Sequence, residues 1–271
     1  MIALCATCAV ETNGPPDADR VCPICADERQ YLPKGGQRWT TVDELIARGH
    51  TLEWFEVEPD LVALTTKPGV GIGQQTMIAR TPEGNLLWDP PGLITNEGVD
   101  HVRRLGRTLA IAASHPHMFG VQLAWAEVLN APVLVNAKDA DWLQRRGDAI
   151  ELWSGERVIT STIILLEFGG HFPGSCAALW SAGAGGRGVL LAGDTIFANP
   201  DGTASFMRSY PNRIPLSGAV VQRLADATDR LEFDRLYNNF GGIIDQNAKA
   251  MVRFSADRHA AWVRGDYDHL T

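Results

Sequence analysis

The stretch Ile111-Ala-Ala-Ser-His-Pro-His-Met-Phe-Gly120 ends an apolar run in two histidines one residue apart. If 109–113 is a buried strand, residues two apart point to the same side, so His115 and His117 aim both imidazoles at one point. Pro116 between them biases His115 toward an extended backbone, which suits a strand end. Two readings stand at this point: a pair of metal-ligating nitrogens, or a pair of surface histidines in a loop.

At 271 residues the chain is long enough for one large domain with a small appendage. Hydrophobic residues make up 45% and charged residues 21%, the balance of a globular protein rather than a disordered one. No apolar run reaches the roughly 18 residues of a membrane span, and the first residues lack the basic start and apolar centre of a signal peptide. The expected compartment is therefore the cytoplasm, with no membrane partner. A net charge of −8 argues against a protein that tracks a nucleic-acid backbone with a basic stripe.

Four of the five cysteines fall in the first 25 residues, as Cys5-x-x-Cys8 and Cys22-Pro-Ile-Cys25. Each such turn places two sulfurs on a tetrahedral ion, and two turns close it. The expectation is a structural four-cysteine site, holding zinc rather than iron, in a zinc-ribbon-like module over 1–35; redox-active or incidental cysteines are the alternative. So small a module buries little apolar surface, so the metal supplies its folding energy. Between the pairs, Asn13-Gly-Pro-Pro-Asp-Ala-Asp19 reads as a turn-rich loop. The segment 36–51 reads as a linker with a short helix, opened by Thr41 with Glu44 three residues on, and stopped at Gly49.

From residue 52 the pattern changes to short strands: 52–57, 61–66, 75–80 and 85–88 form a meander. Helices and strands then alternate to about residue 145, strands return over 150–192, and helices follow over 217–231 and 245–264. That order implies sheets covered by helices. Chemistry-bearing residues stand at strand ends: Asp89 in Trp88-Asp-Pro-Pro-Gly92, His171 in Gly169-Gly-His-Phe-Pro-Gly-Ser175, and Asp194 in Leu190-Leu-Ala-Gly-Asp-Thr195. A carboxylate at the end of a buried strand needs a partner, and a metal is one. A turn-forming Asp89, a loop His171 and a capping Asp194 are the plain alternatives.

A meander, a His-x-His at a strand end, then Gly170-His-Phe-Pro-Gly-Ser175 and Leu191-Ala-Gly-Asp-Thr195 in that order, resemble the metallo-β-lactamase superfamily over 52–271. Trp88–Gly92 is similar to that family's Asp-Thr-Gly strand end. The resemblance implies a four-layer αββα sandwich with the site at loop ends between two sheets. It also implies hydrolysis of esters, amides, thioesters or phosphodiesters with one or two zinc, iron or manganese ions. It casts His115, His117 and His171 as a first-site triad and Asp194 as the bridging carboxylate. Two-metal members carry an Asp and a His just after the His-x-His, where this chain has Phe119 and Gly120. Asn238-Asn-Phe-Gly-Gly242 likewise lacks the family's last histidine. What remains is one zinc or iron ion, or none. Three imidazoles with an open position form a catalytic zinc arrangement. Asp194 then stands in as proton acceptor if it lies within hydrogen-bond reach, and an apolar Phe119 shapes a drier pocket.

The functional expectation is a metal-dependent hydrolase of a small molecule, in which activated water attacks an ester, thioester, lactone or phosphodiester. One alternative is a member that has lost catalysis and acts as a binding or regulatory module through its ribbon. Another is a nucleic-acid-processing enzyme.

Overall fold

Many strands in this chain are apolar at odd and even positions alike, as expected where both faces of a sheet are covered. The computed structural model describes residues 2–14 and 19–271. The centre of the turn-rich loop between the cysteine pairs, residues 15–18, lies outside the described residues.

The N-terminal part holds β1 (Ala3–Cys5), β2 (Glu11–Thr12), the single turn α1 (Pro23–Ala26), β3 (Trp39–Thr41) and α2 (Val42–Ala47). β1 pairs antiparallel with both β2 and β3. Thr41 caps α2 by accepting the Glu44 N–H at 3.1 Å. The Glu44 carboxylate does not reach back to Thr41; it accepts from Thr40 Oγ1 at 2.8 Å.

The first large sheet comprises β4 (Thr51–Glu58), β5 (Leu61–Lys67), β6 (Thr76–Ala79), β7 (Asn85–Trp88), β8 (Thr108–Ala112), β9 (Val133–Asn136) and β10 (Ile150–Trp153), side by side in sequence order. β4 to β7 form the antiparallel meander, and β7 to β10 run parallel. Parallel neighbours need crossovers, supplied between β7 and β8 by α3 (Asn96–Arg104) and between β8 and β9 by α4 (Gln122–Leu129). The second sheet begins with β11 (Glu156–Val158), β12 (Ile163–Glu167), β13 (Cys176–Trp180), the irregular turn α5 (Gly183–Gly186) and β14 (Val189–Leu191). Two small hairpins follow, β15 (Phe197–Ala198) with β16 (Ala204–Ser205), and β17 (Met207–Ser209) with β18 (Ile214–Pro215). After α6 (Gly218–Asp229), β19 (Arg235–Tyr237) and β20 (Ile243–Ile244) complete the sheet, and α7 (Ala248–Arg264) ends the fold.

Side-chain alternation sorts the core into three layers. Leu61, Ala63, Met77, Leu86, Trp88 and Ala110 face inward and meet Ile163, Leu165, Ala178, Trp180 and Leu191 of the second sheet. Val62, Leu64, Ile78, Leu87 and Ile111 alternate with them and face outward, toward Val99 and Val102 of α3 and Ala124 and Trp125 of α4. On the far side Leu190 and Leu236 pack under Val221 and Leu224 of α6 and Val252 of α7. The result is the expected αββα sandwich.

The cysteine segment shares the outer layer of the first sheet, where Leu4, Val10 and Ile24 are buried in the same cluster. A buried carboxylate ties it down: Glu11 Oε1 accepts the Leu123 N–H at 2.6 Å, and Oε2 pairs with Arg145 Nη1 at 2.5 Å. Among the described residues no helix is long and apolar enough to cross a membrane. Replacing Glu11 by Ala leaves the Leu123 N–H without its partner and should lower stability by about 3 kcal/mol. That is the low end for breaking a buried pair, because Arg145 can turn to water. Urea unfolding monitored by tryptophan fluorescence checks this.

Candidate functional site

The carboxyl ends of β7, β8 and β14 all point to one end of the sandwich, and the loop between β12 and β13 joins them there. β8 stops at Ala112, so His115 and His117 lie beyond its end, as the sequence implies, but strand alternation does not aim them. His115 is extended (φ −170°, ψ 172°), and Pro116–Met118 form a 3-10 turn. Proline opens such a turn readily, since the first N–H of a helix has no partner to lose. The turn, rather than strand alternation, brings the two rings to 5.1 Å between centroids, with planes at 80°.

His171 reaches the same point from the Phe168–Ser175 loop, its ring 4.7 Å from that of His115 and 5.4 Å from that of His117. Asp194 arrives from the end of β14. Gly193 makes that approach possible: it has φ +55°, and a Cβ there would lie 2.4 Å from Ser114 Cβ. Asp194 Oδ2 lies 3.5 Å from His115 Nε2 and 3.8 Å from His171 Nε2, while His117 Nδ1 lies 3.4 Å from His171 Nε2. The four side chains offer ligand atoms that all lie within 4.8 Å of one another, and all four residues are buried.

Second contacts orient these groups. His171 Nδ1 meets the Met207 carbonyl oxygen at 2.9 Å. An oxygen that only accepts requires the proton on Nδ1, which leaves the Nε2 lone pair facing the site. Ser114 Oγ holds His115 Nδ1 at 2.9 Å, and Asp89 Oδ1 accepts the Ser114 N–H at 2.6 Å. Asp89 is therefore one residue removed from the cluster. Tyr210 donates its hydroxyl to the Asp194 carbonyl at 2.9 Å. Phe172 underlies the three imidazoles, 5.7, 5.0 and 5.3 Å from the rings of His115, His117 and His171.

Burial shifts the protonation of every member. It pushes His171 down to about 4 and holds His115 and His117 well below the ordinary imidazole value, so all three are neutral with lone pairs available. Burial, reinforced by the nearby Asp89 carboxylate, pushes Asp194 up to about 8. Burial pushes Asp89 up to about 7. His115 Nε2 and Asp194 Oδ1 have no hydrogen-bond partner among the described residues, and His117 turns Nδ1 toward His171 Nε2. Crowded imidazole lone pairs beside a buried carboxylate oxygen suit a cation, so the residues fit a metal ion.

Phe119 does not line this space; it is buried in the outer core layer with Met118, Cys8 and Val10. The apolar surface against the imidazoles comes instead from Phe172. Gly120 has φ +50°, and a Cβ there would lie 2.3 Å from the Pro90 oxygen and 2.7 Å from the Pro91 oxygen. Its own carbonyl accepts the Glu11 N–H at 3.0 Å.

Cys5, Cys8, Cys22 and Cys25 form a second buried cluster. Cys5 Sγ lies 3.7 Å from Cys25 Sγ, and Cys8 Sγ lies 3.8 Å from Cys22 Sγ. A tetrahedral ion with metal–sulfur bonds of about 2.3 Å sets its sulfurs about 3.8 Å apart. The thiols act on one another: hydrogen bonds from Cys22 and Cys25 hold Cys5 below its ordinary value, while the same two neighbours push Cys8 above it. Gln37 Nε2 donates to Cys5 Sγ at 3.1 Å.

A cavity of about 560 Å³ opens onto His117, His171 and Asp194. Its wall includes Thr7, Arg29 and Tyr31 of the cysteine segment, facing Tyr210 and Phe240. Arg29, Tyr210 and Phe172 carry no motif of their own. Only the placement of Phe172 beside a predicted ligand could have drawn attention to it.

A Bacillus subtilis protein described as uncharacterized protein YmaE is 36% identical over 269 residues, covering 98% of each chain. No protein-family model matches. Among solved structures, the metallo-β-lactamase TMB-1 aligns over 76% of this chain and 98% of its own at 13% identity, with a TM-score of 0.57. SMB-1, in complex with mercaptoacetic acid, aligns over 79% and 97% at 15% identity and 0.52. Rm3 aligns over 92% and 100% at 15% identity and 0.52.

The packing at Gly120 yields a test. Changing Phe119→Asp together with Gly120→His, the residue types of a two-metal member, should add no second ion at the histidines. It should also destabilise the fold by at least about 1–3 kcal/mol, the cost of one strained backbone position. Metal analysis and urea unfolding of the double variant measure both.

Proposed function

We propose that this chain, which belongs to one family with the Bacillus subtilis protein YmaE and has the metallo-β-lactamase fold, is a single-metal hydrolase. Its substrate is a small ester, thioester, lactone or phosphodiester. The observation that carries the reading is the convergence of three neutral imidazoles and one carboxylate within 4.8 Å at the floor of a cavity. Nitrogen and oxygen ligands of this kind suit zinc or iron. When bound, such an ion supplies Lewis-acid chemistry, lowering the pKa of water from about 15.7 toward 7 and polarising a carbonyl or phosphoryl oxygen.

The protein's part is to hold and to receive. His115, His117 and His171 would hold the ion, with Ser114 and the Met207 carbonyl fixing the rings of His115 and His171. Phe172, fully buried beneath them, keeps bulk water from the lower side of the cluster. Asp194 is anchored through its own carbonyl by Tyr210 and keeps Oδ1 without a partner among the described residues. With a cation at the histidines favouring its ionised form, that oxygen would accept the proton of an attacking water and return it to the leaving group. A positioned base of this kind contributes on the order of 100- to 10,000-fold. The four-cysteine cluster serves as a structural site, with zinc as its expected ion, because four thiolates leave no open position.

Metal content is the direct test. Purified protein should carry about two equivalents, one per cluster. His115→Ala with His171→Ala should remove one equivalent and abolish hydrolysis in a screen of ester, thioester, lactone and phosphodiester substrates. Asp194→Asn should slow turnover by roughly 100-fold or more with a smaller loss of metal. Wild-type protein holding metal at the cysteines alone would instead support a non-catalytic binding module.

A further inference from the structure

We propose that Arg29, carried by the cysteine segment, selects anionic substrates by binding an oxyanion, carboxylate or phosphate, on the wall of the cavity that holds the histidines. Calling that anion part of a substrate rests on the hydrolase reading above; the anion site itself does not.

Arg29 is 6% exposed, yet it lines the cavity together with His117, His171 and Asp194. No other arginine or lysine among the described residues does so. The guanidinium is held on three sides. Its Nε donates to the His171 carbonyl at 2.8 Å, its Nη1 pairs with Asp27 Oδ1 at 2.7 Å, and its carbon lies 4.2 Å from the centroid of the Phe172 ring. The backbone is fixed as well: Ser209 Oγ donates to the Arg29 carbonyl at 3.0 Å, and Asn212 Nδ2 donates to the carbonyls of Glu28 and Gln30 at 2.8 and 3.0 Å.

Nη2 makes no hydrogen bond with a described residue. It is not among the buried polar atoms left without a partner either, so it meets the cavity rather than the protein. A buried cation costs free energy; Asp27 pairs directly with one face of it and Asp139 acts on the same charge from farther off, which leaves the Nη2 edge without a bonded partner among the described residues. An arginine whose other nitrogens are already committed is pre-organised, so an arriving oxyanion loses little side-chain entropy in binding to the remaining edge. The other nearby cation, Arg208, is paired with Glu28 at 2.5 Å and does not line the cavity. Tyr31, Ile72, Phe197 and Phe240 line much of the remaining wall, beside the polar Thr7 and Gln30, so the body attached to the anion is largely apolar.

Isothermal titration with inorganic phosphate and, separately, acetate tests the proposal on wild-type, Arg29→Gln, Arg29→Lys and His117→Ala proteins, with metal content measured for each. At least one probe should bind the wild type, phosphate reporting a phosphoryl group and acetate a carboxylate. Arg29→Gln should weaken it about tenfold or more, and Arg29→Lys should fall between, because the charge remains and the fork is lost. His117→Ala should retain Arg29-dependent binding. Should Arg29→Gln lose its cysteine-site metal, Arg29→Lys decides by the same criterion.

Equal binding by wild type and Arg29→Gln, or no binding of either probe to wild type, overturns the proposal. Arg29-dependent binding in wild-type protein with no metal at the histidines keeps the anion site and removes the hydrolase reading. Binding unchanged in Arg29→Gln but lost in His117→Ala puts the anion on the metal, which removes the Arg29 site and keeps the metal.

Discussion

The crowding of three buried imidazoles and a buried carboxylate is the constraint that the surrounding structure answers. Neutral imidazoles enter a dry pocket at modest cost, but an ionised carboxylate without donors costs several kcal/mol. Burial leaves the three rings neutral and Asp194 pushed up to about 8, a state that a cation at their centre would reverse by favouring the carboxylate. The neighbouring residues hold that geometry in place. Met207 and Ser114 turn imidazole nitrogens, Tyr210 grips the Asp194 backbone, and Gly193 lets β14 come against Ser114.

The cysteine segment is built into this arrangement rather than hung beside it. Its thiols crowd as the histidines do, and a cation would resolve either cluster. Cys22 stands at the start of α1 and Cys25 within it, so an ion on the four sulfurs fixes the turn that leads directly to Asp27, Arg29 and Gln30. Arg29 in turn bonds the carbonyl of His171. A clamp at the cysteines would therefore extend, through a few residues, to the backbone of a residue at the histidine cluster.

Much of this was legible in the sequence. The Cys-x-x-Cys pairs, the His-x-His, Gly-His-x-Pro-Gly-Ser and Gly-Asp-Thr each carry their chemistry in a short spacing, and these residues do assemble into two clusters. The difference is local: strand alternation predicts the aim of His115 and His117, whereas the strand ends at Ala112 and a proline-opened turn does the aiming. Arg29 was invisible for a different reason. Its importance comes from contacts with His171 and Phe172, which lie far away along the chain, and no local pattern encodes such a pairing. Phe119 shows the converse, a residue placed beside the site by motif register but turned into the core by the fold.

The same packing bears on why the second-metal ligand positions of the resembled family are missing here. In the resembled two-metal pattern the missing ligands would come from positions 119, 120 and the loop after β19. Here Phe119 fills the core that Cys8 and Val10 also enter, and Gly120 lies against the Pro90 and Pro91 carbonyls while binding Glu11 of β2. After β19, Asn239 occupies the loop, and its side-chain amide lies beside both Asp89 and Asp194. The first two positions are thus taken up by contacts with the cysteine segment or with the loop it packs against. The space a side chain at 120 would require is taken by the Pro90 and Pro91 carbonyls, in a loop whose Gly92 in turn lies against Ala9 of the cysteine segment, while the Gly120 carbonyl is bound by Glu11.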